Sequence, residues 1–81
     1  MPVTLKIAFN SITHSEVIIE NPEYVPVLGD IVDIKAEDFI QDQKVIEQLA
    51  LYSETGIWKV GLKMVNYSKR KTMVTIVLEE G

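Results

Sequence analysis

The chain has 81 residues, a formal net charge of −4, no cysteine and a hydrophobic share of 47%, which supports one folded domain over residues 1–81 and rules out a disordered chain. Without cysteine there is no disulfide framework, thiol nucleophile or thiolate zinc site, and the cytoplasm is the expected compartment. No apolar run approaches the ~20 residues of a bilayer span, the N-terminus has no signal-peptide pattern, and the acidic balance opposes generic binding to nucleic acid or anionic lipid.

Val3, Leu5, Ile7 and Phe9 alternate with Thr4, Lys6, Ala8 and Asn10, which predicts a first strand with one buried face. Asn10 and Ser11 are turn residues. A second strand is expected over about Thr13 to Glu20, with Val3 opposite Ile19 and Leu5 opposite Val17. Thr13, His14, Ser15 and Glu16 then lie near an exposed tip. Pro22 and Pro26 hold Asn21 to Pro26 as an extended loop. In Val27-Leu28-Gly29-Asp30 the glycine occupies the position of a type II turn that needs a positive φ. A third strand, Ile31 to Lys35, follows with Val32 and Ile34 on one face. The string V-P-V-L-G-D-I-V-D-I resembles the proline, glycine-aspartate, strand opening of many small β-barrels, which implies a turn into a strand.

Residues 37 to 53 carry the helix signal. Asp42 is the expected N-cap, and Val45, Ile46, Leu49, Ala50 and Tyr52 recur at helical spacing. A start at Asp38 with Gln41 three residues on is the alternative. Gly56 stands near the expected helix stop.

The last stretch, Ile57 to Glu79, reads as a long hairpin. Trp58, Val60, Leu62 and Met64 alternate on one strand, and Thr72, Val74, Ile76 and Leu78 on the other. Placing Trp58 opposite Leu78 and Leu62 opposite Val74 puts all of them on one buried face, a strongly specified register. The connection is then Asn66 to Arg70. The opposite face holds Ile57, Lys59, Gly61, Lys63, Val65, Tyr67, Lys71, Met73, Thr75 and Val77, too apolar to be fully solvated. Gly61 is the kind of isolated strand glycine that marks a bulge or bend.

The order is β-β-β-α-β-β. It resembles the element order of an OB-fold, which implies an α+β fold: a small five-stranded antiparallel β-barrel, or a strongly bent sheet, with one short helix packed on it. A small acidic chain with this content also resembles uncharacterised short proteins of bacteria, their phages and mobile elements.

Charge is unevenly placed. Glu16 to Glu54 holds ten acids against Lys35 and Lys44, whereas Ile57 to Val77 holds Lys59, Lys63, Lys69, Arg70 and Lys71 and no acid. The favoured account is internal, with basic strands against acidic neighbours; the second is a local anion site. Catalytic constellations are sparse. His14 is the only histidine, with Ser11 and Ser15 nearby, and reads as an exposed strand-tip residue. Asp30 and Asp33 flank the third strand and Asp38 and Asp42 the helix start, pairs that could do acid/base work or hold a divalent cation, but Asp30 is better read as a turn residue and Asp42 as a cap. Phosphate-loop, H-E-x-x-H and EF-hand spacings are absent. The expectation is therefore a non-catalytic binding or assembly module without metal or cofactor, acting as a homodimer or with another protein. Ile57, Val65, Met73 and Val77 are its candidate interface. The alternative is single-stranded nucleic acid or a small anionic ligand on Lys59, Lys63, Tyr67, Lys69, Arg70 and Lys71, which one aromatic ring and an acidic chain disfavour.

Overall fold

A computed structural model of the chain describes residues 2–10, 12–53 and 55–80, and of residues 13 and 14 the backbone alone. The strands are β1 (Val3–Phe9), β2 (Ile12–Glu20), β3 (Ile31–Asp33), β4 (Ile57–Tyr67) and β5 (Thr72–Glu80), with a 3-10 turn at Ala36–Asp38 and the helix α1 (Gln43–Tyr52) between β3 and β4. They form one sheet in the order β2-β1-β5-β4-β3, curled into a half-barrel.

This corrects the expectation of an antiparallel barrel. The β1–β2, β3–β4 and β4–β5 ladders are antiparallel, but β1 and β5 run parallel, so the sheet is mixed. Alternation along a strand says which face is buried but not which strand lies beside it. A parallel neighbour needs a long connection, and the segment holding β2, β3, α1 and β4 provides it. The OB-like element order survives along the chain; an OB identity does not follow from this strand adjacency.

β1, β2, β4 and β5 each send large apolar side chains to the inner face. Leu5, Ile7 and Phe9 of β1, Val17 of β2, Trp58 and Val60 of β4, and Val74, Ile76 and Leu78 of β5 are buried there together with Val45 and Leu49 of α1. The rings of Phe9 and Trp58 meet edge-on with centroids 5.1 Å apart, a favoured aromatic geometry.

The N-terminal hairpin keeps its expected faces but not its register. Leu5 pairs with Ile19 and Ile7 with Val17, and a bulge between Ala8 and Phe9 sets Phe9 opposite Ile12. A shift of two residues leaves parity unchanged, because side chains alternate with period two. At its end Asn21 adopts φ 51°, a left-handed conformation that asparagine tolerates, and its N–H donates to the Val3 carbonyl.

Gly29 takes φ 89° and the Asp30 N–H donates to the Val27 carbonyl at 2.9 Å, the features expected of the type II turn. β3 is shorter than the predicted Ile31–Lys35, and Ile34 is still buried. Asp42 caps α1, its carboxylate accepting from the Lys44 N–H at 3.0 Å. Of the expected stripe, Val45 and Leu49 are buried and Ile46 packs against them, whereas Ala50 and Tyr52 are exposed. After the helix Gly56 turns at φ 78°, and a Cβ there would stand 3.0 Å from the Ile34 carbonyl oxygen.

Candidate functional site

The C-terminal hairpin carries the sequence's candidate residues, and one glycine decides where each of them goes. Up to Val60 the pairing is regular, Trp58 with Glu80, Lys59 with Glu79 and Val60 with Leu78; a bulge at Gly61 then sets Leu62 opposite Val77, Lys63 opposite Ile76 and Val65 opposite Val74. An extra residue in one strand reverses the faces beyond it. Trp58 and Val60 point into the core as predicted. Leu62 and Met64, predicted for the same face, stand on the outer face at 50% and 49% exposure. Lys63, Val65 and Tyr67 move to the inner side, where the sheet runs on past its helical cover. Glu79 crowds the bulge: a Cβ on Gly61 would lie 2.5 Å from its carboxylate.

The candidate interface of Ile57, Val65, Met73 and Val77 is therefore split. Ile57, Met73 and Val77 share the outer face, and Val65, opposite buried Val74, does not belong with them. The outer patch that forms is larger than predicted. Met64 and Leu62 on β4 lie beside Met73, Thr75 and Val77 on β5, and Ala8 and Lys6 of β1 follow next, level with Val77 and Thr75. Leu62 and Met64 were hidden from sequence reading because their alternation fits the core pattern until the bulge is counted.

The basic residues do not form one surface. Lys59 lies on the outer face between Ile31 and Glu79. Lys63 is half-buried on the inner side. Lys69, Arg70 and Lys71 lie in the turn, roughly 25 Å along the strand from Lys59. The predicted connection Asn66–Arg70 is displaced: β4 runs on to Tyr67 and Ser68–Lys71 make the turn. Ser68 ties it, its N–H and hydroxyl donating to the Lys71 carbonyl at 3.1 and 2.7 Å and its Oγ accepting from the Lys71 N–H at 3.2 Å. Tyr67 beside it is 83% exposed.

Of the acidic neighbours that the internal account expected, Glu79 stands across from Lys59 and Asp30 feels the charge of Lys63, but none forms an ion pair with these bases among the described residues. Among the described residues the one ion pair is Lys6 with Glu16 at 3.0 Å, on β1 and β2. Asp30 comes nearest to serving the hairpin. Its Oδ2 accepts from the Val27 N–H at 2.9 Å and the Tyr24 hydroxyl at 2.8 Å. Those two bonds, with the charge of Lys63 adding to them, hold its carboxyl below the ordinary value, and the shared bond raises the Tyr24 hydroxyl. This clamp on the loop before β3 had no separate signal in the sequence beyond Asp30 as a turn residue.

No family model, curated protein or solved structure matches the chain.

Two hollows remain. One of about 300 Å³ is framed by Phe9, Ile34, Leu49, Gly56 and Trp58, the other of about 290 Å³ by Leu5, Ile19, Tyr24, Val32 and Phe39. Asp33, Lys35, Glu37, Ser53 and Thr55 also line the first, but among the described residues no hydrogen bond joins a hydroxyl to a base there, and the Ser53 hydroxyl donates to the Ile57 carbonyl at 2.8 Å. Among the described residues no group of three histidine, cysteine or acidic side chains is placed to hold a metal, and no buried side-chain polar atom lacks a partner. Ser11 and the side chain of His14 lie outside the described residues. Among the described residues, no helix is long and apolar enough to cross a membrane.

Proposed function

We propose that the protein is a non-catalytic assembly module that associates with a second copy of itself through the distal half of its C-terminal hairpin, and that it works in the cytoplasm. The observation that carries this reading is the outer face of the distal hairpin: Leu62 and Met64 stand half exposed on β4, with the half-buried Met73 and Val77 beside them on β5. Contiguous exposed apolar side chains of this kind mark contact surfaces. A two-fold contact buries the same patch on both copies at once. The charges suit self-association as well, since an acidic body faces a hairpin whose bases have no carboxylate partner among the described residues.

Sedimentation of the wild type should give a dimer at micromolar concentration. Met64→Asp, which places a charge on an exposed position, should give a folded monomer by circular dichroism. A wild type that stays monomeric at high micromolar concentration overturns the reading. The second reading, an anionic ligand or single-stranded nucleic acid held by Lys69, Arg70 and Tyr67, is favoured by the bases of the turn, which form no ion pair among the described residues. Salt-sensitive fluorescence anisotropy on wild type and Arg70→Ala would establish it in place of the first.

A further inference from the structure

The free edge of β4 has a geometry more specific than an apolar patch. β3 covers β4 only from Ile57 to Lys59, and the loop before it adds two bonds at Val60: its N–H donates to the Asp30 carbonyl at 2.9 Å, and its carbonyl accepts from the Gly29 N–H at 3.0 Å. From Gly61 to Tyr67 no described strand lies on the side away from β5. Such an edge is a template for another strand. The groups it offers follow from the ladder. The Thr72 N–H donates to the Pro2 carbonyl on the β1 side, so Tyr67 opposite it also turns its backbone groups away from the hairpin. Antiparallel pairs alternate in this respect. Lys63, Val65 and Tyr67 therefore present their N–H and C=O outward, while Leu62, Met64 and Asn66 spend theirs on β5.

We propose that two copies join through this edge, β4 against β4 in antiparallel register centred on Val65, extending the five-stranded sheet into a ten-stranded one. The proposal rests on the self-association reading and names its contact. This register is the one in which every outward residue meets another: Val65 faces its own copy, and Lys63 faces Tyr67 in both halves. Three such pairs exchange six backbone hydrogen bonds. A register centred on Lys63 would set the two ammonium groups against each other. Centres at Met64 or Asn66 would carry one outward pair into the bulge or the turn. In the Val65 register the single charge of this edge lies across from an aromatic ring, a favourable cross-strand pair.

The ends of the edge fit as well. In the same register the Ser68–Lys71 turn of each copy follows Tyr67 toward Val60 of the second copy, where the covered part of the edge begins. There the Asp30 carboxylate, tied to Val27 and Tyr24, bounds the free edge. The Lys69–Arg70 turn of each copy meets that carboxylate, so each end of the contact pairs opposite charges.

Two measurements test this. Val65→Pro removes an N–H that has no acceptor among the described residues of one copy, and proline is tolerated on an edge when its missing N–H faces solvent. The variant should be folded and monomeric where the wild type is dimeric. In the wild type, amide hydrogen exchange should show Lys63, Val65 and Tyr67 protected at high concentration and unprotected on dilution. A dimer in which these three amides exchange freely overturns edge pairing and leaves self-association through the outer face. A wild type that stays monomeric overturns both. Should Val65→Pro fail to fold, the exchange pattern decides.

Discussion

Trp58 and Leu62 are both large, both apolar and four residues apart on the same strand, yet their surroundings differ completely: Trp58 is 2% exposed against Phe9, and Leu62 stands half out of the sheet. Trp58→Ala should cost ~3–5 kcal/mol, the range for emptying a buried aromatic site. Leu62→Ala should cost under ~1 kcal/mol, as surface substitutions usually do. Urea denaturation midpoints of the two variants, measured at a concentration where the chain is monomeric, check the order; equal losses would place Leu62 in the core and remove the bulge from the explanation. Asp30 gives a second test at this scale. Its carboxyl is held low first by the Val27 N–H and then by the Tyr24 hydroxyl. A depressed carboxyl stabilises the fold above its unfolded-state pKa, and that contribution disappears as the pH falls through the folded-state value. Thermal scans from about pH 6 to about pH 2 should show wild type losing more stability than Asp30→Asn over the acid end of that window. Parallel pH profiles would show that the clamp contributes nothing.

Among the elements, α1 and the β3 turn were legible in the sequence because each is announced by a residue with a local job. Asp42 bonds the second N–H of the helix it opens, and Asp42→Ala should lower stability by about 1 kcal/mol, seen as a lower thermal midpoint. Gly29 takes the positive φ that its turn requires. The inner faces of β1 and β5 were legible too, since unbroken alternation reports burial whatever the pairing partner. Two features were not. The Gly61 bulge could be suspected from an isolated glycine, but carrying the period through it put Leu62 and Met64 inside and Lys63 and Val65 outside, each on the wrong side. The register of both hairpins differs from the one that best matches apolar positions, because turn geometry and a bulge fix it as much as side chains do. For the candidate surface, Lys69 and Arg70 fall in the connection between β4 and β5, as the hairpin predicts, whereas the length of β4 separates them from Lys59.

On the scale of the whole molecule, adjacency was the illegible part. Nothing in the alternation of β1 says that its inner neighbour will be the last strand of the sheet, running parallel to it. That placement has a consequence for how the protein comes into being. β5 is the keystone between the two hairpins, paired with β1 on one side and β4 on the other, and it is synthesised last. At a translation speed of roughly 5–20 residues per second, β1 leaves the ribosome several seconds before β5 exists. During that interval the N-terminal hairpin has no sheet to join, and two-stranded ribbons alone are at best marginal in water. Until β5 emerges, Leu5, Ile7 and Phe9 lack the neighbouring strand that buries them, and the half-barrel is completed only when β5 joins the two hairpins.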